Sequence, residues 1–177
     1  VACRYDPVLL TKEYTIDRHL ETFERMAERL SSYVDRCIFS FVEMYKKLQY
    51  NMPELIVLSE QNREILARGL GAVAGKYGMD IQTCGTNGDY SHYGIRSSGC
   101  MTLEILGGAN GIIFKERKHK GTRNGCHCIE SRDIGAYDTC LNGCKYCYAN
   151  KNPQKAFENR KYHDKMSPLL LGAVRPD

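Results

Sequence analysis

Arg36-Cys37-Ile38-Phe39-Ser40-Phe41-Val42 is an almost unbroken apolar run of strand length, and its reading decides the fold. A strand with one wet face alternates apolar and polar residues, whereas a run like this is expected of a parallel strand covered on both sides. Upstream, Ala2, Arg4 and Asp6 alternate with Cys3 and Tyr5 as a first strand that Pro7 should stop. Between the two strands, Ile16, Leu20, Phe23, Ala27, Leu30 and Val34 form a stripe. It predicts an amphipathic helix over 16–34, entered through Tyr14-Thr15 and charged on its opposite face. Downstream, Ser59 suits an N-cap, and Ile65, Leu66, Leu70, Val73, Ala74 and Tyr77 predict a second helix closed by Gly78. Asp80 to Cys84 is a third short strand. Strand, helix, strand, helix, strand is the order that yields a parallel sheet with right-handed crossovers.

After Gly85 the texture changes. Gly, Ser, Asn and Tyr dominate up to Gly99, a short helical turn is expected around Met101 to Leu106, and a brief strand at Ile112 to Lys115. Cysteine-rich loop then carries the chain to Asn150, and Pro153 opens a last helix to about Asp164. The segment Ser167-Pro-Leu-Leu-Leu-Gly172 should dock its apolar side chains on the body. The fold class expected is α/β. Residues 1–110 read as part of a TIM-type β/α barrel, and 111–177 as a cysteine-rich cluster-binding segment packed on the same domain.

The chain has 177 residues, enough for one domain with a real core. It begins without methionine, in what reads as a strand, and so looks like a chain entered midway. Nine cysteines is an odd number, and no apolar leader precedes them, so a reducing cytoplasm is expected rather than a disulfide framework. No apolar run approaches the roughly 20 residues that span a bilayer. The net charge of +4 is local, because Lys115, Arg117, Lys118, Lys120 and Arg123 face Glu116 alone. The remainder is near neutral, which argues against a general nucleic-acid surface. The basic loop reads as a solvated face, with phosphate or RNA contact as the sharper alternative.

The chemistry concentrates in Thr139-Cys-Leu-Asn-Gly-Cys-Lys-Tyr-Cys-Tyr-Ala-Asn150. Cys140, Cys144 and Cys147 stand on a loop tightened by Asn142-Gly143, close enough to converge on one centre. They supply three ligands where tetrahedral zinc or a fully ligated cluster wants four, which favours a 4Fe-4S cluster with one open iron. A zinc loop completed by a fourth cysteine elsewhere, or thiols without metal, are the alternatives. Cys84, Cys100, Cys126 and Cys128 form a candidate second site, for zinc or an auxiliary iron–sulfur cluster; otherwise they are buried apolar thiols. Cys3 and Cys37, inside strands, read as core. Arg4 and Asp6 share one side of the first strand near its end, where they could hold substrate or a cofactor, or pair with each other. Arg132 and Asp133 read as loop-fixing residues, and Tyr137 and Tyr148 either wall the cluster or pack.

The spacing Cys-x3-Cys-x2-Cys, with Tyr146 before the third cysteine, resembles the cluster motif of the radical S-adenosylmethionine (SAM) enzymes. The likeness implies that SAM chelates the open iron, that Tyr146 lies near its adenine, and that Arg4 and Asp6 are candidates for its carboxylate and amine. It also implies an electron donor as partner. Further phrases, Arg4 to Pro7, Tyr93 to Ile95, Cys126-x-Cys128, Glu130 to Asn150 and His163 to Gly172, resemble the family called domain of unknown function 1848. Family members carry a further N-terminal half, so a missing half or partner chain, and exposed strand edges to receive it, are expected. Where members tend to carry acids, this chain has Gly85 after Cys84 and Met101-Thr102 after Cys100. The function expected is reductive cleavage of SAM on an unknown substrate. The rival is a non-enzymatic zinc or iron–sulfur module that staples the fold or contacts RNA or protein.

Overall fold

The computed structural model of the protein describes residues 1–115, 125–132 and 134–172. Arg117, Lys118, Lys120 and Arg123 of the basic loop, and Asp133, lie outside the described residues. The elements are β1 (Ala2–Val8), α1 (Ile16–Leu30), β2 (Arg36–Phe41), α2 (Lys46–Asn51), α3 (Glu60–Lys76), β3 (Asp80–Thr83), β4 (Ile95–Ser97), α4 (Leu103–Asn110) and α5 (Pro153–Asn159). They fall into two compact units: Val1–Glu43 with Glu54–Ser131, and Met44–Pro53 with Arg132–Asp177.

The first unit is mixed α/β, built on an open, all-parallel sheet in the order β1-β2-β3-β4. Its register pairs Arg4 with Ile38 and Ile38 with Gln82, so these side chains share one face, while Cys3, Cys37 and Ile81 point to the other. The second face is closed by α1 and α3: the Tyr5 ring meets Phe23 at 5.3 Å, and Phe23, Ala27, Leu66, Leu70 and Ala74 are buried. That explains the apolar run, since every residue of β2 after Arg36 is buried. On the first face Gln82 donates to the carbonyl of Gly99 at 3.2 Å, so the loop after β4 lies across it instead of a helix.

The helix ends follow local chemistry. Thr15 and Ser59 accept from the N–H groups of Arg18 and Asn62 and cap α1 and α3. α1 stops at Leu30, short of Val34, because the chain turns over Leu30 and straightens for β2, where Asp35 donates to Val1. β1 runs through Pro7 to Val8, and Pro7 only disturbs the ladder, whose register shifts between Tyr5 and Val8. A strand forms at Ile95–Ser97, where composition pointed to loop, because β3 offers Ile95 a buried place beside Ile81. Residues 112–115 form no strand; Ile113 is 99% exposed. In the second unit α5 ends at Asn159, followed by a 3-10 turn, Arg160–Tyr162. The tail is fastened by its backbone, Gly172 donating to Tyr162, while Leu169 and Leu170 stay exposed. No helix among the described residues is long and apolar enough to cross a membrane.

Candidate functional site

In the second unit Cys140 and Cys144 are exposed, Cys147 is half-buried, and none is in a disulfide. The turn between the first two rests on Gly143, whose φ of +66° lies in the left-handed region, and Cys147 donates to the carbonyl of Cys144 at 3.1 Å. The loop's carbonyls are occupied by side-chain donors. Asn150 donates to Cys140, Asn51 to Lys145 at 3.1 Å, and Lys47 to Cys147 at 3.0 Å and also to Asn150. Lys47 and Asn51 are four residues apart on α2, hence on one face, and that short helix is the platform under the loop.

Asp138 fastens the loop's base. At a φ of 55° it donates its own N–H to Ala149, accepts on Oδ1 from the N–H groups of Lys151 (2.6 Å) and Asn152 (2.9 Å), and offers its carbonyl to Asn159. The Asn152 and Lys151 bonds, with the charges of Lys155 and Lys151, outweigh burial and hold its carboxyl below the usual value. Tyr146 is 40% exposed. Tyr45 lies close by, its phenol pushed up by burial and then by Cys147 and Tyr146. Tyr45 Oη and Asn150 Oδ1 are both buried and have no hydrogen-bond partner among the described residues. Tyr137 is exposed beneath the Lys151 ammonium, and Tyr148 is 72% exposed, so neither ring is packed in a core. Arg132 is also exposed, and Asp138 is a loop-fixing residue beside those expected.

In the first unit four of the other six thiols gather on the sheet face that carries no helix. Cys84 follows β3 and interacts with Cys100; Cys100 Sγ stands 3.5 Å from Cys128 Sγ; Cys128 also meets Cys126. Arg4 donates from Nε and Nη2 to Asp6 Oδ2 (3.2 and 2.6 Å), Ser40 donates to Asp6 Oδ1, and the guanidinium also reaches Cys100 and Cys84. Arg4 and Asp6 therefore pair with each other. Burial pushes Cys84 up, and Cys128 up to about 12. For Cys100 burial acts the same way, but hydrogen bonds from Cys128, Cys84 and Arg4, with the Arg4 charge, bring the thiol below its ordinary value. Cys3 and Cys37 are neighbours in the register of β1 and β2, with Cys37 fully buried in the core. Among the described residues no three or more His, Cys, Asp or Glu side chains already enclose a common point as a metal cage would.

Residues 1–149 match the family model described as Domain of unknown function (DUF1848). The chain belongs to that family. No curated protein and no solved structure matches it. The matched span of this DUF1848 chain takes in every one of its nine cysteines, so both thiol sets lie inside the family's own region. Lys47, Asn51, Tyr45 and Asp138 are the site residues that the sequence alone did not reveal. Lys-Lys-Leu-Gln-Tyr-Asn is too short for a helical period to stand out, and one aspartate before a cysteine loop is an ordinary residue until its two backbone donors are seen.

Proposed function

We propose that this DUF1848 chain is an iron–sulfur protein of the radical SAM kind, with Cys140, Cys144 and Cys147 as ligands of a 4Fe-4S cluster. The observation that supports it is the division of labour in the loop. Its carbonyls are taken by Asn150, Asn51 and Lys47, while Cys140 and Cys144 stay exposed and Cys147 half-buried. The donor set fits such a group chemically, being three thiols with no fourth neighbour on the same loop. Among the described residues the three thiols do not enclose a common point, so taking up a cluster requires them to converge.

When bound, the cluster supplies one-electron reductive cleavage of SAM, with an external electron donor as partner. The chain's residues position and select. Lys47 and Asn51 hold the loop's curvature, and Asp138 anchors both its ends. Tyr146 offers an aromatic face suited to adenine, and Tyr45 Oη and Asn150 Oδ1 are hydrogen-bonding groups that the described polypeptide leaves for a polar ligand. The sheet order also suits part of a larger β/α barrel, which runs its parallel strands consecutively.

The test is anaerobic reconstitution of the full chain with iron and sulfide, followed by metal and sulfide counting with and without SAM. About four irons and about four sulfides per chain, and a spectral change on adding SAM, are expected. Stoichiometric zinc at the loop, or a fourth protein ligand on the cluster, would sink the reading.

A further inference from the structure

The thiols of the sheet unit take no part in the function proposed above, and their arrangement has its own meaning. Two of them come from the ends of adjacent strands, Cys84 just after β3 and Cys100 in the turn that follows β4. Cys126 and Cys128 come from a segment laid along the Cys100 turn, where Ile129 donates to Met101 at 3.0 Å. Two glycines make that approach possible. A Cβ on Gly99 would stand 2.6 Å from the carbonyl oxygen of His127 and 2.8 Å from the nitrogen of Cys128. Gly125 adopts a φ of +71°, and a Cβ there would lie 2.7 Å from Asn87 Oδ1, in the loop after Cys84. The chain thus gives up side chains at two points to bring four sulfurs into a continuous row from Cys84 through Cys100 and Cys128 to Cys126.

The Cys100–Cys128 distance can be set against the geometry of each candidate chemistry. A disulfide needs sulfurs about 2.05 Å apart. Two thiolates on one zinc ion stand about 3.8 Å apart, the edge of a tetrahedron whose Zn–S bonds are about 2.3 Å. Ligands of a four-iron cluster each sit on a different iron and are held further apart than either. The 3.5 Å between Cys100 and Cys128 is a thiol–thiol hydrogen-bond contact, longer than a disulfide and a few tenths of an ångström short of the edge around a single ion, so these two sulfurs need little displacement to share one.

We propose that Cys84, Cys100, Cys126 and Cys128 form a structural four-thiolate site for one zinc ion, which fastens the 125–130 segment across the helix-free face of the sheet. The row becomes a tetrahedron when the two outer sulfurs, Cys84 and Cys126, swing inward. Arg4 supplies the outer shell: its guanidinium touches Cys100 and Cys84 and is itself oriented by Asp6, which Ser40 holds in turn. Four thiolates on a divalent ion leave net negative charge, and a cation donating N–H bonds to sulfur, as the half-exposed Arg4 does, is the partner that charge requires.

The experiment uses the full chain with Cys140, Cys144 and Cys147 all changed to serine, so that failure of the cluster reading cannot be mistaken for failure of this one. Purified from zinc-supplemented medium, this variant is expected to keep about one zinc per chain. Its cobalt-substituted form is expected to show tetrahedral thiolate absorption. On the same background Cys100→Ser and Cys126→Ser should each weaken zinc binding by at least about tenfold, the lower bound for losing even an outer-shell partner. Because such variants can fail to fold, the wild-type chain is also alkylated with and without a chelator and mapped by mass spectrometry. Protection of these four cysteines that vanishes on chelation supports the site. Equal labelling in both conditions, a Cys100–Cys128 disulfide in zinc-replete protein, or inorganic sulfide accompanying the metal in the serine variant overturns it.

Discussion

Asp138 shows how one carboxylate organises a loop. Its Oδ1 accepts two consecutive backbone N–H groups at the entrance to α5, and its main chain closes on Ala149 and Asn159. The folded state favours its ionised form, so this contribution is whole above the ordinary value of 3.8 and is lost as pH falls through the lower folded value. Asp138→Ala should lower the melting midpoint at neutral pH, and the difference from wild type should shrink on acidification below pH 3.8. A difference that stayed constant with pH would show that the carboxylate is not what matters. Tyr5 makes the opposite case. Its phenol donates to His19 Nδ1 at 2.7 Å, and burial, with Cys37 nearby, pushes it from 10.0 up to about 12. Here the folded state keeps a proton that the unfolded chain releases, so the contribution is whole below pH 10.0 and is lost as pH climbs toward about 12. Tyr5→Phe should flatten that alkaline loss, read from urea midpoints at about pH 9 and about pH 11.

Among the elements, α1 and α3 carry stability and α2 carries the site. Phe23 of α1 is fully buried against the Tyr5 ring, and Phe23→Ala should cost about 3 to 5 kcal/mol in equilibrium unfolding. Lys47→Met keeps the length of the side chain but releases the carbonyls of Cys147 and Asn150. Leaving such acceptors without a donor costs about 1 to 3 kcal/mol, so iron retained after reconstitution should fall while the melt of the sheet unit stays as it was. The same contrast explains what was legible beforehand. Nineteen-position periodicity was more than enough to expose α1, and the almost unbroken apolar run from Cys37 to Val42 exposed β2, because each writes its burial into its own residues. β4 and α2 write nothing comparable: Ile-Arg-Ser becomes a strand only beside β3, and Ile112 to Phe114, with better strand composition, stays outside the sheet for lack of such a neighbour.

For the molecule as a whole, the two thiol sets belong to different compact units, Cys140, Cys144 and Cys147 to one and Cys84, Cys100, Cys126 and Cys128 to the other. The order of strands and helices, the capping of α1 and α3, and the tight Asn142-Gly143 turn follow from residues within a few positions of one another, where propensity and periodicity act. The sequence by itself therefore determined the parallel α/β character and the thiol spacing of the terminal loop. Only the tertiary structure decided which donors hold that loop, since Lys47 meets Cys147 across 100 positions. It also decided that Arg4 serves sulfurs as well as Asp6, and that Cys100 lies against Cys128, 28 positions away. Such pairings depend on how the chain closes on itself, and closing a loop costs nearly the same entropy whichever residues it brings together, so no local pattern records the choice.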